Sequence, residues 1–325
     1  MKIFITGGTG FLGTNLVTRL SRTEHTLCCL IRKNTPASER LRTLGATLVQ
    51  GDITDKASIL RGMNGCDWVI HLAGLYRFWA PDPQVFRNVN IDGARNVMEC
   101  ALDNGVSKVV HVSTCGIYGK PEDCPYREQS NVGPVRYSDY FKTKYEGDQI
   151  VWDLHRSKGL PVVVVYPTAV LGANDPKATG KYIWNFIHRH MPATVFDDSY
   201  FTFVYVKDVA EVIVRAAEKE GNIGERYLIG AEQITFGRVN QMLSEISGVP
   251  VPRLHLPDAL TMLNAMLLTG IANVLNKEPL WGMSTSQMQV MRAGVRADGS
   301  KAERDLGIRY TPVRVALEEA IASLK

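Results

Sequence analysis

The stretch TGGTGFLG at residues 6–13 follows the apolar run KIFIT at residues 2–6 and opens a segment with helical periodicity. Two spacings of glycine fit this stretch: Gly7, Gly10 and Gly13, or Gly8, Gly10 and Gly13. One such glycine adopts a backbone shape closed to other residues, a second lets a pyrophosphate approach the main chain, and a third lets the helix lie against the strand. The free N–H groups at the start of the helix attract phosphate. The stretch therefore predicts a first βα unit that binds a dinucleotide.

Apolar runs and helical patterns alternate through the first half of the chain. Near-continuous runs such as KVVHVS and PVVVVYP are what parallel strands covered on both faces require. We therefore predict an α/β fold, a Rossmann-type doubly wound parallel sheet with a smaller, mainly helical C-terminal substrate lobe. Helices are predicted at 11–22, 56–63, 84–104 and 139–158, and short strands at FTFVYV and RYLI. The predicted domains are a dinucleotide-binding domain at 1–170, to which 201–230 returns, and a substrate-binding lobe at 171–200 and 231–325.

Composition narrows the function classes. The 325 residues carry 37 Lys and Arg against 33 Asp and Glu, a formal charge of +4, with no long run of like charge that would predict nucleic-acid binding. The six cysteines lack a paired metal spacing, so we expect reduced thiols and no metal site. The N-terminus begins a strand at once and shows no secretion or import signal, so the expected location is cytoplasmic.

One uncharged stretch bears on membrane contact. Residues 259–276, ALTMLNAMLLTGIANVLN, approach the length of a membrane span, but two asparagines, two threonines and Gly270 interrupt them. We expect a buried or amphipathic helix that caps the substrate lobe, with membrane contact as the alternative. An apolar substrate could use the same surface.

The ends of the second and third strands predict the cofactor. Where an NAD-selective protein carries an acidic residue for the ribose, this chain has Arg32 and Lys33, which favours NADP(H), with NAD(H) as the alternative. Arg32 as an ordinary surface residue is the competing interpretation. Asp52 and Ile53 are predicted to contact the adenine, unless Asp52 or Thr54 only caps the next helix.

A tyrosine and a lysine four residues apart indicate acid–base chemistry. Tyr140 and Lys144 in YFKTK share one face of a predicted helix. A neighbouring ammonium stabilises a phenolate and so lowers a pKa that is otherwise near ~10. Thr114 lies at the end of the preceding strand, whose carboxyl edge faces the cofactor crevice. These three residues are the predicted catalytic set.

At this point the chain resembles an extended short-chain dehydrogenase/reductase of the NAD-dependent epimerase/dehydratase family. The resemblance rests on the glycine stretch, GDITD, HLAG, NVNIDGARNV, STCGIYG, the Tyr140 and Lys144 pair, YPTAVLG and VYVKDVA, in the family's order. It implies that Thr114 hydrogen-bonds the substrate oxygen, Tyr140 exchanges its proton, and Lys144 assists Tyr140 and binds ribose. Asn90 matches the family's helix asparagine, or else packs helices. Further implied cofactor residues are Phe11, Leu12, Leu72, Ala73, Gly74, Pro167, Ala169 and Val170.

The residues after Thr114 separate this chain from one branch of the family. Sugar-nucleotide dehydratases follow the threonine with an Asp-Glu pair, whose acid protonates the leaving hydroxyl. This chain has Cys115 and Gly116, neither of which does that work, so a dehydratase of that type is not expected. We expect Cys115 to fill space rather than react.

An aromatic stretch, LYRFWAPDP at residues 75–83, bears on the class of substrate. Tyr76 and Trp79, with Phe78, are predicted to contact an apolar or ring-shaped substrate, unless the loop only anchors the next helix. With DPKATGKYI, GERYLIGAE and KAERDLGIRYTP, it resembles the dihydroflavonol reductase-like branch, which includes proteins labelled hopanoid-associated sugar epimerases.

Three functions remain open from the sequence. The first is an NADP(H)-dependent oxidoreductase that reduces a ketone or aldehyde of a largely apolar or ring-containing small molecule, or oxidises the alcohol. The second is an NAD-dependent nucleotide-sugar epimerase, although Arg189, Arg226 and Arg253 form no clear diphosphate site. The third is a non-catalytic nucleotide sensor. The family analogy also implies a homodimer through the helices at 84–104 and 139–158.

Overall fold

Seven parallel strands form the central sheet in the computed structural model, which describes residues 1–324; Lys325, the last residue of the predicted lobe, lies outside the described residues. The described residues form twelve strands in all, seven in the central sheet and five in two smaller sheets. They are β1 (Lys2–Thr6), β2 (Thr26–Ile31), β3 (Thr47–Gln50), β4 (Trp68–His71), β5 (Lys108–Val112), β6 (Val162–Pro167), β7 (Ala169–Leu171), β8 (Ala193–Thr194), β9 (Tyr200–Tyr205), β10 (Arg226–Ile229), β11 (Glu232–Thr235) and β12 (Leu254–His255). The central order is β10-β6-β5-β4-β1-β2-β3. Strand progression reverses beside β1, where a crevice opens at the carboxyl ends of the strands. The prediction of a Rossmann-type doubly wound sheet is confirmed.

Helices cover both faces of this sheet. They are α1 (Phe11–Leu20), α2 (Pro36–Thr43), α3 (Lys56–Met63), α4 (Gln84–Arg87), α5 (Ala94–Asp103), α6 (Asp139–Lys158), α7 (Ala178–Ile187), α8 (Val206–Glu218), α9 (Phe236–Ser247), α10 (Asp258–Leu275), α11 (Thr285–Ala293), α12 (Ser300–Leu306) and α13 (Val313–Ala322). A π-helical segment, Asn88–Gly93, joins α4 to α5. The helix predicted at 139–158 is α6 residue for residue, whereas α2 was not predicted.

Alternate residues of each strand enter opposite cores. Ile3 and Ile5 of β1 pack with α1, α8 and α12 on one face of the sheet. Phe4 packs with α3, α5 and α6 on the other face. This is the period-two arrangement that makes strands covered on both faces read as continuous apolar runs.

The segment after β6 alternates between the central sheet and a smaller one. Strand β9 pairs with β7 and β11 in a three-stranded sheet, while β10 returns to the central sheet beside β6. The predicted segment 201–230 is thus divided between the two sheets. A third apolar cluster, formed by α7, α9, α13 and the small sheet, lies below the crevice.

Helix α10 forms where the uncharged stretch predicted a helix, but most of it is not buried. Only 17% of its eighteen-residue window lies inside the protein, and by length and composition the helix could cross a membrane. Small and polar residues such as Thr261, Ala265 and Ala272 face the protein. Leu263, Leu267 and other large apolar side chains face outward. The prediction of a buried helix is therefore wrong, because the apolar stripe lies on the outer side, whereas an amphipathic helix and membrane contact stay predictions.

Candidate active site

The glycine turn has the backbone geometry that a phosphate cradle requires. Gly7 has a φ of +76°, and a Cβ on it would lie 2.7 Å from the backbone nitrogen of Ala73. A Cβ on Gly13 would lie 2.2 Å from the carbonyl oxygen of Gly7. A Cβ on Gly8 would meet only side-chain atoms, the nearest at 3.2 Å. The structure therefore requires glycine at residues 7 and 13, with the main chain at Gly7 in the left-handed region, whereas a Cβ on Gly10 would lie 3.3 Å from the carbonyl oxygen of Gly7.

The N-terminus of α1 is open to an anion. Within the described chain no side chain caps it at Gly10, and its first turn carries no acidic residue. A cavity of about 340 Å³ begins at this turn and follows the carboxyl edge of the sheet. The predicted residues on its wall are Gly7, Gly10, Phe11, Leu12, Gly13, Leu72, Gly74, Thr114, Tyr140, Lys144, Pro167, Ala169 and Val170. This free N-terminus and glycine cradle fit a dinucleotide pyrophosphate.

Exposed cations lie at the far end of the crevice. Arg32 and Lys33 directly follow β2 and are exposed, outside the cavity wall. Lys177 on the opposite side lines the cavity, and partial burial lowers the pKa of its ammonium. The neighbouring cations Arg77 and Arg32 lower that pKa further. Arg32 and Arg77 therefore lie near Lys177, which lines both large cavities.

Asp52 and Ile53 follow β3 but do not line the cavity. One oxygen of Asp52 accepts hydrogen bonds from the N–H and the hydroxyl of Thr54, both at 2.9 Å. The cap of α3 is Asp55, which accepts an N–H of the first turn at 3.0 Å, so neither Asp52 nor Thr54 caps this helix. Ile53 is buried against Gly93. The second oxygen of Asp52 stays free of these contacts.

Tyr140 and Thr114 both line the cavity. Thr114 begins a short 3₁₀ turn after β5, and its hydroxyl accepts the N–H of Gly116 at 3.3 Å. Tyr140 lies in the first turn of α6, which Ser138 caps. Burial raises the pKa of Tyr140, the nearby Tyr76 adds to this, and hydrogen bonding to Thr114 opposes it. Without a cation the phenol therefore stays protonated.

Lys144 lies one turn further along α6 and also lines the cavity. Its Nζ donates to the carbonyl of Val112 at 3.0 Å, and burial lowers its pKa to about 8. Asp148, another turn along, opposes this shift. The Asp148 carboxylate accepts from the hydroxyl of Tyr166 at 3.2 Å, and burial raises its pKa to about 6. Asp148 was missed in the sequence, where its position four residues after Lys144 was the available signal.

The aromatic stretch contributes Tyr76 and Phe78 to the catalytic cavity. The ring of Tyr76 lies 5.0 Å from that of Tyr140, and the ring of Phe78 lies 6.4 Å from it, both edge-on. Trp79 lines neither this cavity nor its neighbour. Its indole N–H donates to Asn273 of α10 at 2.8 Å. The structure therefore places Trp79 as a tie between this loop and α10, away from the predicted substrate contact.

Asn90 hydrogen-bonds both to the aromatic loop and to helix α6. Its Oδ1 accepts the N–H of Leu75 at 2.8 Å, and its Nδ2 donates to the hydroxyl of Thr143 at 3.0 Å. The π-helical segment brings its backbone so near α6 that a Cβ on Gly147 would lie 2.2 Å from the Asn90 oxygen. Asn90 thus connects the loop to the helix that carries Tyr140.

Neither of the two positions after Thr114 supplies an acid, and residue 116 has no room for one. A Cβ on Gly116 would lie 2.1 Å from the ring of Phe141. Cys115 lines the cavity, but burial raises the pKa of its thiol to about 12. The thiol is thus protonated at neutral pH and a poor nucleophile.

The three scattered arginines of the lower part of the chain do not meet in the cavity. The guanidinium of Arg226 lies 4.2 Å above the ring of Trp152. Arg189 and Arg253 are exposed and line neither of the two large cavities. Among residues 1–324, no arginine is on the catalytic cavity wall.

Comparison with known proteins then identifies the family. The model of the NAD dependent epimerase/dehydratase family matches residues 3–230. The chain belongs to this family. Members of the NAD-dependent epimerase/dehydratase family are soluble enzymes, generally of oxidoreductase type, and they include reductases and epimerases that use NAD(P)(H). The predicted resemblance to this family is confirmed.

Relatives of this epimerase/dehydratase family member span nearly its whole length. Sterol demethylase protein B of Methylococcus capsulatus is 32% identical over 99% of this chain and 98% of its own. The putative dihydroflavonol 4-reductase of Synechocystis sp. is 29% identical over 98% and 93%. A farnesyl dihydroquinoline-oxide ketoreductase of Stigmatella aurantiaca is 29% identical over 70% and 68%.

Solved structures agree with the fold. The crystal structure of gox2253 superposes with a TM-score of 0.83, at 32% identity, over 99% of this chain and 97% of that one. The UDP-glucuronic acid 4-epimerase of Bacillus cereus in complex with NAD superposes with a TM-score of 0.78, over 100% and 98%. At 23% identity the latter shows the fold alone.

Proposed function

We propose that the protein is an NADP(H)-dependent oxidoreductase that reduces a ketone or aldehyde of a largely apolar or ring-containing small molecule, or oxidises the alcohol. The observation that carries this proposal is that Thr114, Tyr140 and Lys144 open into a cavity walled by aromatic and aliphatic side chains. Besides the catalytic residues and those of the glycine turn, its wall includes Phe141, Phe201, Phe203, Phe236, Val239, Val290 and Met291. Such a wall binds apolar surface.

Tyr140, Thr114 and Lys144 each have one task in this proposal. Thr114 donates its hydroxyl proton as a hydrogen bond to the carbonyl oxygen. Tyr140 transfers its phenolic proton to that oxygen as the carbonyl becomes an alcohol. The ammonium of Lys144 stabilises the phenolate left on Tyr140. NADPH held at the glycine turn by Gly7, Gly10 and Gly13 would supply a hydride for the carbonyl carbon.

The cofactor form rests on charge at the far end of the crevice. Arg32 stands where an acidic residue would accept the ribose 2′-hydroxyl, and Lys33 follows it. A 2′-phosphate pairs with such cations. We therefore propose NADP(H) as the preferred form, with Gly7, Gly10 and Gly13 holding the pyrophosphate.

A nucleotide-sugar epimerase is the second candidate, favoured by the fold shared with the Bacillus cereus epimerase. A diphosphate needs cations inside the cavity, whereas Lys144 and Lys177 are the cations on its wall within residues 1–324. Elimination as in a dehydratase conflicts with Cys115 and Gly116, because neither supplies an acid and a side chain at residue 116 would collide with Phe141.

The test is cofactor identity and exchange. Nucleotide released from the purified protein is identified, and the emptied protein is titrated with NADPH and NADH. We expect weak retention and tighter binding of NADPH, and Arg32→Ala should weaken NADPH binding roughly tenfold while NADH binding stays the same, since a charge-assisted hydrogen bond contributes about 1.5–3 kcal/mol. Turnover of apolar aldehydes and ketones with NADPH should follow. Tightly held, non-exchanging NAD together with interconversion of UDP-sugars would overturn the proposal and favour the epimerase.

A further inference from the structure

A second large cavity adjoins the catalytic one. Its volume is about 380 Å³, and it lies between α7, α11 and the segment that follows α10. The two cavities share a wall that includes Tyr76, Phe78, Tyr182 and Met291. A molecule whose carbonyl reaches Tyr140 could therefore extend past Tyr76 into the second cavity.

The lining of the second cavity carries apolar surface beside the charged residues Arg77, Lys177, Lys181 and Glu278. Four methionines line it: Met191, Met283, Met288 and Met291. Methionine side chains are flexible and polarisable, so they adapt to irregular apolar shapes. Leu256 and Val195 add aliphatic surface, and Glu278 on the wall is paired with Lys181 at 3.4 Å. Its charge is thus balanced locally.

We propose that this second cavity is the subsite for the apolar body of the substrate, so that the enzyme acts on carbonyl compounds carrying a hydrocarbon portion of lipid size. The inference rests on the proposed reductase function and adds a substrate class to it. A dinucleotide held at the glycine turn would occupy the adjoining part of the first cavity, so that a larger substrate would extend past Tyr76. The remainder of a larger substrate has the second cavity as its continuation.

Chain length is the direct test of this subsite. With NADPH, kcat/KM for methyl ketones from butanone to dodecanone should rise roughly three- to fourfold per methylene until the second cavity is filled. Leu256→Trp, which fills that cavity away from the catalytic residues, should lower the dodecanone value roughly tenfold or more and leave butanone unchanged. Leu254→Trp is the matched control, because Leu254 is 56% exposed and lines neither cavity.

A binding measurement separates this inference from the proposed function. A dansyl-labelled fatty acid should bind the wild type and the Leu254→Trp control, and bind the Leu256→Trp variant much more weakly. Met191→Trp serves as a second filling variant if Leu256→Trp does not fold. Turnover of short ketones with no gain from length and no probe binding would sink the subsite alone. Probe binding to the cavity without reduction of any ketone would sink the reductase proposal alone.

A separate observation concerns the outer face of α10. Leu260, Leu263, Leu267, Ile271 and Val274 lie three or four residues apart, and all are at least half exposed, with Val274 at 82%. Leu280 and Trp281, just beyond the helix, are exposed as well. The apolar stripe of this helix therefore forms a continuous outward surface instead of a core face.

Charge around this face indicates its partner. The acids near its ends are paired, Asp258 with Arg292 at 3.2 Å and Glu278 with Lys181 at 3.4 Å. Arg253 before the helix and Lys277 after it are exposed and, within the described residues, in no ion pair. Net positive charge thus flanks an uncharged apolar face with a tryptophan at its edge, the pattern of an interfacial helix on an anionic lipid surface.

We infer that α10 docks on a bilayer containing anionic lipids, with its axis along the surface. The wild type should co-sediment with phosphatidylcholine vesicles that contain phosphatidylglycerol, and bind pure phosphatidylcholine more weakly. The triple variant Leu263→Gln, Leu267→Gln, Ile271→Gln should lose this binding roughly tenfold or more. A matched triple, Leu60→Gln, Ile223→Gln, Val315→Gln, changes exposed apolar residues elsewhere and should keep it.

Three results would overturn the bilayer inference. One is wild-type protein that stays in the supernatant with every vesicle. Another is vesicle binding by the α10 variant equal to that of the wild type. The third is a concentration-dependent dimer that the α10 changes abolish in the absence of lipid, which would assign the face to a second copy of the chain.

Discussion

Tyr140 is the residue on which the proposed chemistry depends most directly, because its hydroxyl is the proton donor beside Thr114. Tyr140→Phe removes that proton and little volume. We expect kcat for carbonyl reduction to fall roughly 10²- to 10⁴-fold, while NADPH binding and the unfolding midpoint stay near the wild-type values. Steady-state kinetics, fluorescence titration and thermal unfolding measure the three quantities. Full activity in this variant would contradict the assignment.

Asp148 gives a pH-dependent prediction. Reduction needs the Lys144 ammonium, whose pKa is lowered to about 8, so activity should decline above about pH 8. Asp148 favours the charged form of Lys144. Asp148→Asn removes that support, lowers the pKa of Lys144 further, and should move the alkaline decline of kcat to lower pH.

The control for this pH prediction is Asp148→Glu, which keeps the charge and should keep the decline near its wild-type position. A merely structural role for Asp148 predicts reduced activity at every pH with no displacement of the profile. The pH–rate profile therefore distinguishes a residue that positions charge from one that only packs.

Local sequence predicts the roles of some residues of the site and not of others. Gly7, Thr114, Tyr140 and Lys144 could be predicted because each occupies a fixed place relative to a strand end or a helix turn. Asp148 offered only its position four residues after Lys144, and the role of the Trp79 indole could not be predicted because it depends on a partner distant in sequence. For Trp79 that partner is Asn273, 194 residues away.

At the scale of elements, the contact between the π-helical segment and α6 supports the aromatic loop. Asn90→Ala leaves the buried N–H of Leu75 without its acceptor. We expect a loss of about 1–3 kcal/mol in the free energy of unfolding. We also expect a higher KM for bulky substrates, because the loop with Tyr76 loosens.

Urea unfolding with Asn96→Ala as the comparison tests this expectation. Asn96 lies on the adjoining helix and makes a single side-chain hydrogen bond, from Nδ2 to the carbonyl of Ile53 at 3.0 Å. Its removal should cost less than that of Asn90. Equal losses of unfolding free energy in the two variants would mean that Asn90 does not hold the aromatic loop in place.

Element prediction succeeded where periodicity reflects burial and failed where it does not. The boundaries of α6 follow from Ser138 as cap and Gly159 as terminator, both readable in sequence. Helix α2 is short and polar and has no marked apolar stripe, although Thr35 and Ser38 form a capping box that signals its start. For α10 the apolar composition predicts a buried or amphipathic helix, but composition alone does not say on which side the apolar stripe lies.

For the whole molecule, the packing of α12 connects the end of the chain to the core formed at its beginning. Ala302 and Leu306 of α12, with Ile308, are buried in the same core as Ile3 and Ile5. A protein truncated after residue 230, where the family match ends, lacks these residues. We expect it not to fold cooperatively, because the missing burial is comparable with a typical total stability of about 5–15 kcal/mol.

Near-ultraviolet circular dichroism and calorimetry decide this. The full chain should show one cooperative transition, and the truncated protein should lack fixed aromatic signals. A truncated protein with a sharp transition of its own would mean that the first 230 residues are independently stable, and that the C-terminal segment only adds the substrate lobe.

The contact between Gly116 and Phe141 also limits how this chain could change its chemistry in evolution. An acid at residue 116 collides with the aromatic ring, and a smaller residue at 141 alone leaves a hole beside Tyr140. Either step taken singly should impair the proposed reduction before elimination becomes possible. A route from reduction to dehydration therefore passes through poor intermediates unless both positions change together.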